Sequence, residues 1–194
     1  ERAHPETRMH VVLADPLQHL CRIAAVALAG AVLHVGSGDR EFLARERRAI
    51  LDYIADSSIP SARKHIVLTR YSIEDQELAR ALLSAKDAGA RVTLITDFNV
   101  SMSFEFKDGE SMITDFSLGT PKETPPGLFL KTLLDGGFAV VGAGTDGEPR
   151  AAIFSQPLYN KGDPSIDPIM HEKSLLLVDE PEAGSAAKAR VRSY

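Results

Sequence analysis

His171 and Lys173 stand two residues apart at the start of an apolar run, Ile169-Met170-His171-Glu172-Lys173-Ser174-Leu175-Leu176-Leu177-Val178-Asp179. In an extended chain alternate side chains share a face, so this spacing projects an imidazole and an ammonium side by side. The pair suits phosphoryl chemistry: a neutral imidazole attacks phosphorus while the ammonium draws charge from the non-bridging oxygens. A His-x-Lys at a strand start also arises by chance. Here the flank counts in its favour. Leu175 to Val178 form the continuous apolar run of a strand buried on both faces, which puts His171 and Lys173 at its mouth, where the sites of α/β proteins collect.

The segment resembles the HKD motif of the phospholipase D superfamily, His-x-Lys followed by four residues and Asp. His171 and Lys173 match. Five residues separate Lys173 from Asp179, and the expected acidic position holds Val178. In a strand that slip turns Asp179 to the opposite face from the family's Asp unless a bulge restores the register. The resemblance implies catalytic roles for His171, Lys173 and Asp179.

The elements that must position these residues follow from periodicity and punctuation. Asp15-Pro16 reads as a helix start, Gly30 as its close, and Ala31 to Val35 as a strand that ends in the turn Gly36-Ser37-Gly38-Asp39. Phe42, Leu43, Ile50, Leu51 and Ile54 recur at helical spacing among charged residues, which predicts an amphipathic helix over 40–54. After the break at Ser57-Ser58-Ile59-Pro60, His65 to Arg70 is a buried strand. Ser72, with Asp75 three residues later, signals a helix start ahead of Leu78, Leu82 and Leu83; Gly89 caps that helix and Arg91 to Thr96 is the next strand. Strand, helix and strand with short links predict a right-handed crossover between parallel neighbours. Arg70-Tyr71 and Asp97-Phe98-Asn99 lie just past strand ends, where polar groups of a site gather; Asp97 is equally suited to capping a turn, and Tyr71 to packing on the next helix.

Residues 100–127 lose periodicity and contain Thr120-Pro121 and Pro125-Pro126-Gly127, which predicts an irregular insertion, a lid or surface elaboration. A short helix over 128–134, a release at Gly136-Gly137 and a strand over 138–141 follow. Gly142-Ala143-Gly144-Thr145-Asp146-Gly147 satisfies G-x-G-x-x-G, but the chain runs on into the strand Ala151 to Phe154 and not into a helix, so a hairpin loop is expected there and no nucleotide site. Asp163-Pro164 and Asp167-Pro168 stiffen the approach to His171. Asn160 and Lys161 are available to a phosphate.

With 194 residues, 44% of them hydrophobic and 25% charged, the composition is that of a soluble domain with one good core. A net charge of -5 offers no basic field and argues against non-specific nucleic-acid binding. The lone Cys21 excludes an internal disulfide and a cysteine metal site, and reads as a buried small hydrophobe. Histidines 4, 10, 19, 34, 65 and 171 show no paired ligand spacing, so neither a metal nor another cofactor is expected. The run Ile23 to Val35 is shorter than the roughly 20 residues that span a bilayer. An integral membrane protein is therefore not expected; secretion and a cytoplasmic location both stay open. The chain begins at Glu1 and not at Met, from which an upstream segment is expected to have been removed or left out.

The resemblance extends to Ala62–Leu68 and Ala81–Val92, which look like the block of phospholipase D-type domains in which a helix feeds a strand and a second helix ends in Gly before a strand closing on Asp, here Asp97. It implies an α/β fold with a mixed, largely parallel sheet and helices on both faces, a phospholipase D-like α/β/α sandwich. Residues 1–194 then form one half-domain with a single HKD-type motif. In the superfamily two motifs build one site, one His acting as nucleophile and the other as general acid, and a Gly-Ser pair with an Asn follows the motif strand. Gly184-Ser185 is a stand-in, with Lys188 in the place of the Asn, although the counterpart is expected beyond Tyr194. None of the other five histidines is followed by Lys at the second position. A second half is thus expected from a cleaved chain or a homodimer mate, the cleaved enzyme being favoured. The implied activity is hydrolysis or transphosphatidylation of a phospholipid through a phosphohistidine, with peripheral membrane contact. The alternatives are a nuclease on the same scaffold and a degenerate, non-catalytic binding half-domain, for which the displaced Asp179 is the argument.

Overall fold

The computed structural model describes residues 39–105, 112–113, 119–141, 149–155, 158–159, 173–182, 185 and 187–194, all within the unit Val35–Tyr194. The expected helix over 15–30, the strand over 31–35, the Gly142–Gly147 loop, Asn160, Lys161, His171 and Gly184 lie outside the described residues.

Helix α1 spans Asp39–Ala55, one residue beyond each predicted end. Its buried line is Glu46, Ile50 and Tyr53, at helical spacing, whereas Leu43 is 47% exposed. The predicted apolar stripe therefore ends early. Tyr53 donates its hydroxyl to the Val178 carbonyl at 2.5 Å, and Glu46 pairs with Arg70, the last residue of strand β1 (Lys64–Arg70). One turn further toward its N-terminus, Leu43 is left exposed by the described residues. At the other end Lys64 Nζ donates to the carbonyls of Ile54 and Asp56, both at 2.7 Å, oxygens that a helix leaves open at its C-terminus.

Strand β1 is buried along its whole length. It leads to helix α2 (Gln76–Asp87) and strand β2 (Arg91–Thr96), which pairs with β1 in parallel, as the crossover pattern predicts. The cap of α2 is Asp75 and not Ser72: Asp75 Oδ1 accepts from the amides of Glu77 at 2.9 Å and Leu78 at 3.0 Å. That carboxylate satisfies two orphan amides by itself, so the helix starts at the residue after it. The far end closes as a Schellman motif. Gly89 (φ +99°) donates to Lys86 and Ala90 to Ala85, which satisfies the last carbonyls while reversing the chain into β2.

The segment predicted to be irregular is more ordered in its described parts. Helix α3 (Phe98–Ser101) is followed by strands β3 (Met102–Ser103), β4 (Met112–Ile113) and β5 (Thr120–Pro121), with β3 and β5 pairing antiparallel and β4 pairing with β8 (Leu158–Tyr159). Helix α4 runs from Pro125 to Asp135 with Thr124 as N-cap, three residues earlier than predicted. Pro125 and Pro126 read as breakers in the sequence, yet they occupy the first turn, where a missing amide costs nothing and the fixed φ suits the helix. A second Schellman closure, Gly137 to Leu134 and Phe138 to Leu133, releases the chain into β6 (Ala139–Val141).

Strand β7 (Ala151–Phe154) pairs with β2 and β6, both in parallel. The expected hairpin between β6 and β7 is thereby corrected: a hairpin joins antiparallel neighbours, and these two strands are parallel. Strand β9 (Ser174–Asp179) and strand β10 (Arg190–Ser193) complete a six-stranded sheet of order β10-β9-β1-β2-β7-β6, in which β9 alone runs against its neighbours.

One face of this sheet, with Ile66, Leu68, Leu94, Ile153, Leu175 and Leu177, packs against Ile50 and Tyr53 of α1, Leu82 of α2 and Leu133 of α4 in a single apolar cluster. Each such side chain contributes about 1.5–3 kcal/mol on burial. On the opposite face Val67, Thr93, Ala152 and Leu176 are buried as well. The chain is thus an α/β protein with a mixed, mostly parallel sheet, whose three longer described helices lie on the first face. No helix among the described residues is long and apolar enough to cross a membrane.

Candidate functional site

The carboxyl ends of β1, β2 and β7 lie at one edge of the sheet, with Arg70 opposite Thr96 and Ile95 opposite Phe154. Because β9 runs the other way, its first residue, Ser174, lies beside Thr69. Lys173 therefore comes to the same edge as Arg70, at the place in an open α/β sheet where ligands bind. Alternation along β9 gives Lys173 the face of Leu175 and Leu177, the face that carries α1.

Around that mouth the groups differ sharply in burial. Lys173 is exposed, whereas Arg70 is 4% and Glu46 3% accessible. Glu46 takes the Arg70 guanidinium on Oε2. Its other oxygen is buried and has no hydrogen-bond partner among the described residues. Burial pushes the Glu46 carboxyl above its ordinary range; the hydrogen bond and charge of Arg70, then the charge of Lys173, pull it down by less. Two cations thus face one reluctant carboxylate.

Asp97 reaches the same edge and is almost fully buried. Its carboxylate accepts from Asn99 N at 2.8 Å and caps α3, while Phe98 N donates to Ser155 Oγ at 3.3 Å. The capping role anticipated for Asp97 is the one observed. Thr96 Oγ1 donates to the Tyr71 carbonyl at 3.4 Å, which ties the end of β2 to the residue after β1. A small, mostly apolar cavity beside Thr96 is lined by Ile73, Leu94, Ser101, Pro126, Phe129 and Leu130, and neither Arg70 nor Lys173 lines it.

Asp179 is elsewhere. It closes β9 at the opposite edge, where Arg63 Nη2 donates to its Oδ1 at 2.9 Å and Arg63 Nε donates to the Glu180 carbonyl at 2.8 Å. Nearby, His65 Nε2 lies 2.9 Å from Thr93 Oγ1, and its Nδ1 lies 3.3 Å from Glu180 Oε1, which Arg91 Nη1 approaches to 3.4 Å. That edge is a web of side chains pinned to one another. Of the three residues assigned catalytic roles, the structure places Lys173 at the mouth and Asp179 at the far edge, and His171 lies outside the described residues.

Glu46 is the residue that the sequence reading passed over. A signal was present: four residues before Ile50 and seven before Tyr53, it stands on the inward line of α1, and a carboxylate there must find a cation.

No family model matches the chain, and comparison with curated proteins and with solved structures gives no match either.

Proposed function

We propose that the chain is one half of a phosphodiesterase of the phospholipase D type, a hydrolase acting on a phospholipid, with the described sheet as one part of that family's α/β/α sandwich. The observation that supports this reading best is that Lys173 heads a buried, reversed strand beside Arg70, at the carboxyl edge of the parallel strands. An ammonium there can meet the equatorial oxygens of a phosphate as charge builds on them, and a buried guanidinium behind it adds to the field.

In the proposed reaction one imidazole nitrogen, of His171 or of a second motif from a partner half or a second copy, bonds to phosphorus and the bond to the leaving alcohol breaks. The other imidazole protonates that alcohol, and water then releases phosphatidate and frees the first imidazole; an alcohol in place of water gives transfer. Asp179, held by Arg63, serves the strand and not the phosphate.

The test is turnover of phosphatidylcholine vesicles and of DNA by the full chain, alone and with a second HKD-bearing half supplied, with acid-labile phosphohistidine sought on both halves of the quenched sample. Lipid turnover that needs a second half or a second copy, disappears in His171→Ala and falls by about 10²–10³ in Lys173→Ala is expected. DNA cleavage alone would make the protein a nuclease. Absence of both activities and of phosphohistidine, with phosphate analogues still bound, would make it a binding half-domain.

A further inference from the structure

A carboxylate on the inner line of a helix needs a reason. Glu46 is held on one oxygen by Arg70, is almost wholly buried, and has a second oxygen without a partner among the described residues. Arg70 is the last residue of β1, and the register that sets Ser174 beside Thr69 brings Lys173 to the same edge. A guanidinium and an ammonium thus reach one edge of the sheet, with the carboxylate paired to the guanidinium.

We propose that Glu46 is a positioning residue that sets the charge of an oxyanion-binding mouth formed by Lys173 and Arg70, whose ligand class is a phosphate mono- or diester. The inference rests on the phosphodiesterase reading for the identity of the ligand, and on the geometry alone for the binding of an oxyanion. Arg70 is too deeply buried to swing out, with 5% of its side chain accessible. It acts from behind, through its field, while the exposed Lys173 makes the contact. Glu46 cancels much of that field when ionised and releases it when protonated.

Among the described residues, the charged groups acting on the Glu46 carboxyl are Arg70 from β1 and Lys173 from the head of β9. Arg47, one residue along α1, is engaged by Asp75 and Glu77 at the start of α2. Protonation of Glu46 removes one negative charge from behind the mouth, so an anion of fixed charge binds more tightly as pH falls. The raised carboxyl brings that change above the ordinary glutamate range. In this partly screened setting the gain is roughly three- to tenfold in affinity.

Sulfate is the probe, because its charge is constant over the range, and the readout is the Lys173 amide signal in the full chain labelled with ¹⁵N-lysine, assigned by its loss in Lys173→Arg. Sulfate is expected to shift that signal with an affinity that strengthens on acidification. Glu46→Gln is expected to bind with the tighter affinity at every pH, without the slope. If Glu46→Gln does not fold, the paired replacement of Glu46→Met and Arg70→Met removes both buried charges together and must also abolish the slope. A slope that persists in either variant overturns the inference, as does the absence of sulfate binding to the folded wild-type chain. Phosphohistidine formation judges the phosphodiesterase reading separately: a slope that depends on Glu46 without phosphohistidine leaves the anion site and removes the enzyme, and phosphohistidine without the slope does the reverse.

Discussion

Lys173 and Asp179 bracket strand β9 from opposite ends, six residues and about 20 Å apart along an extended chain. The ammonium stands with Arg70 at the carboxyl edge, while the carboxylate is gripped by Arg63 at the other. Their faces agree, since an even number of steps separates them along an extended chain, but their edges do not. A shared role at one phosphorus atom is beyond the reach of the two side chains, and Asp179 instead closes the far end of the strand on Arg63.

Replacing Asp179 by Asn tests that division. The Arg63 bond would become neutral on one side, with the two side chains 32% and 18% accessible. Partial exposure moderates the loss, and a destabilisation of about 1 kcal/mol is expected from urea unfolding. Lys173 amide shifts and sulfate binding at the mouth should stay at wild-type values. A variant of normal stability whose mouth no longer binds the anion would instead give Asp179 a direct part in the site.

Tyr53 offers a pH-dependent test of how α1 is fastened. Its phenol is pushed up to about 12 by burial, with smaller opposing and reinforcing effects from its surroundings, and its hydroxyl donates to the Val178 carbonyl. A folded value above the ordinary 10.0 means that the stability from the neutral phenol is complete below pH 10 and drains away as pH rises toward 12. Lys64 lies over the ring, its Nζ 5.7 Å from the centroid, a contact that Phe keeps. Tyr53→Phe should therefore cost only the hydroxyl bond, about 0.5–1.5 kcal/mol at neutral pH. It should also remove a phenol that ionises near pH 12 from an alkaline absorbance titration. An unchanged titration curve would place the late phenol on another tyrosine.

What could be read from the residues depended on whether a local pattern carried the information. β1 and β2 were legible because short apolar runs bounded by breakers have few other interpretations, and Gly89 announced its cap because a helix that reverses into a strand needs positive φ there. The pairing of β6 with β7 was not legible: parallel or antiparallel is decided by where the connection returns, and glycines permit either. Pro125-Pro126 misled because the same ring that breaks a helix inside its body starts one at its first turn. At the candidate site, the strand-head place of Lys173 followed from the apolar run behind it. The partnership of Glu46 with Arg70 did not, because it joins a helix to a strand end that lies 24 residues on, and only the folded chain brings them together.

The two Schellman closures give the last prediction. Gly89 has φ +99°, and a Cβ added there would meet its nearest neighbour, Arg150 Nη1, only at 3.7 Å, an ordinary contact. Space is thus available, and the cost of a side chain is conformational alone. Gly89→Ala should destabilise by about 1–2 kcal/mol, and Gly137→Ala, with φ +85° and Lys86 Nζ at 3.8 Å, by a similar amount. The two sites sit in different closures, so the double variant should lose close to the sum. Because the first closure feeds β2 and the second feeds β6, hydrogen exchange should rise most in the strand behind the altered glycine. Destabilisation without that local pattern would mean that the closures do not set the strand entries separately.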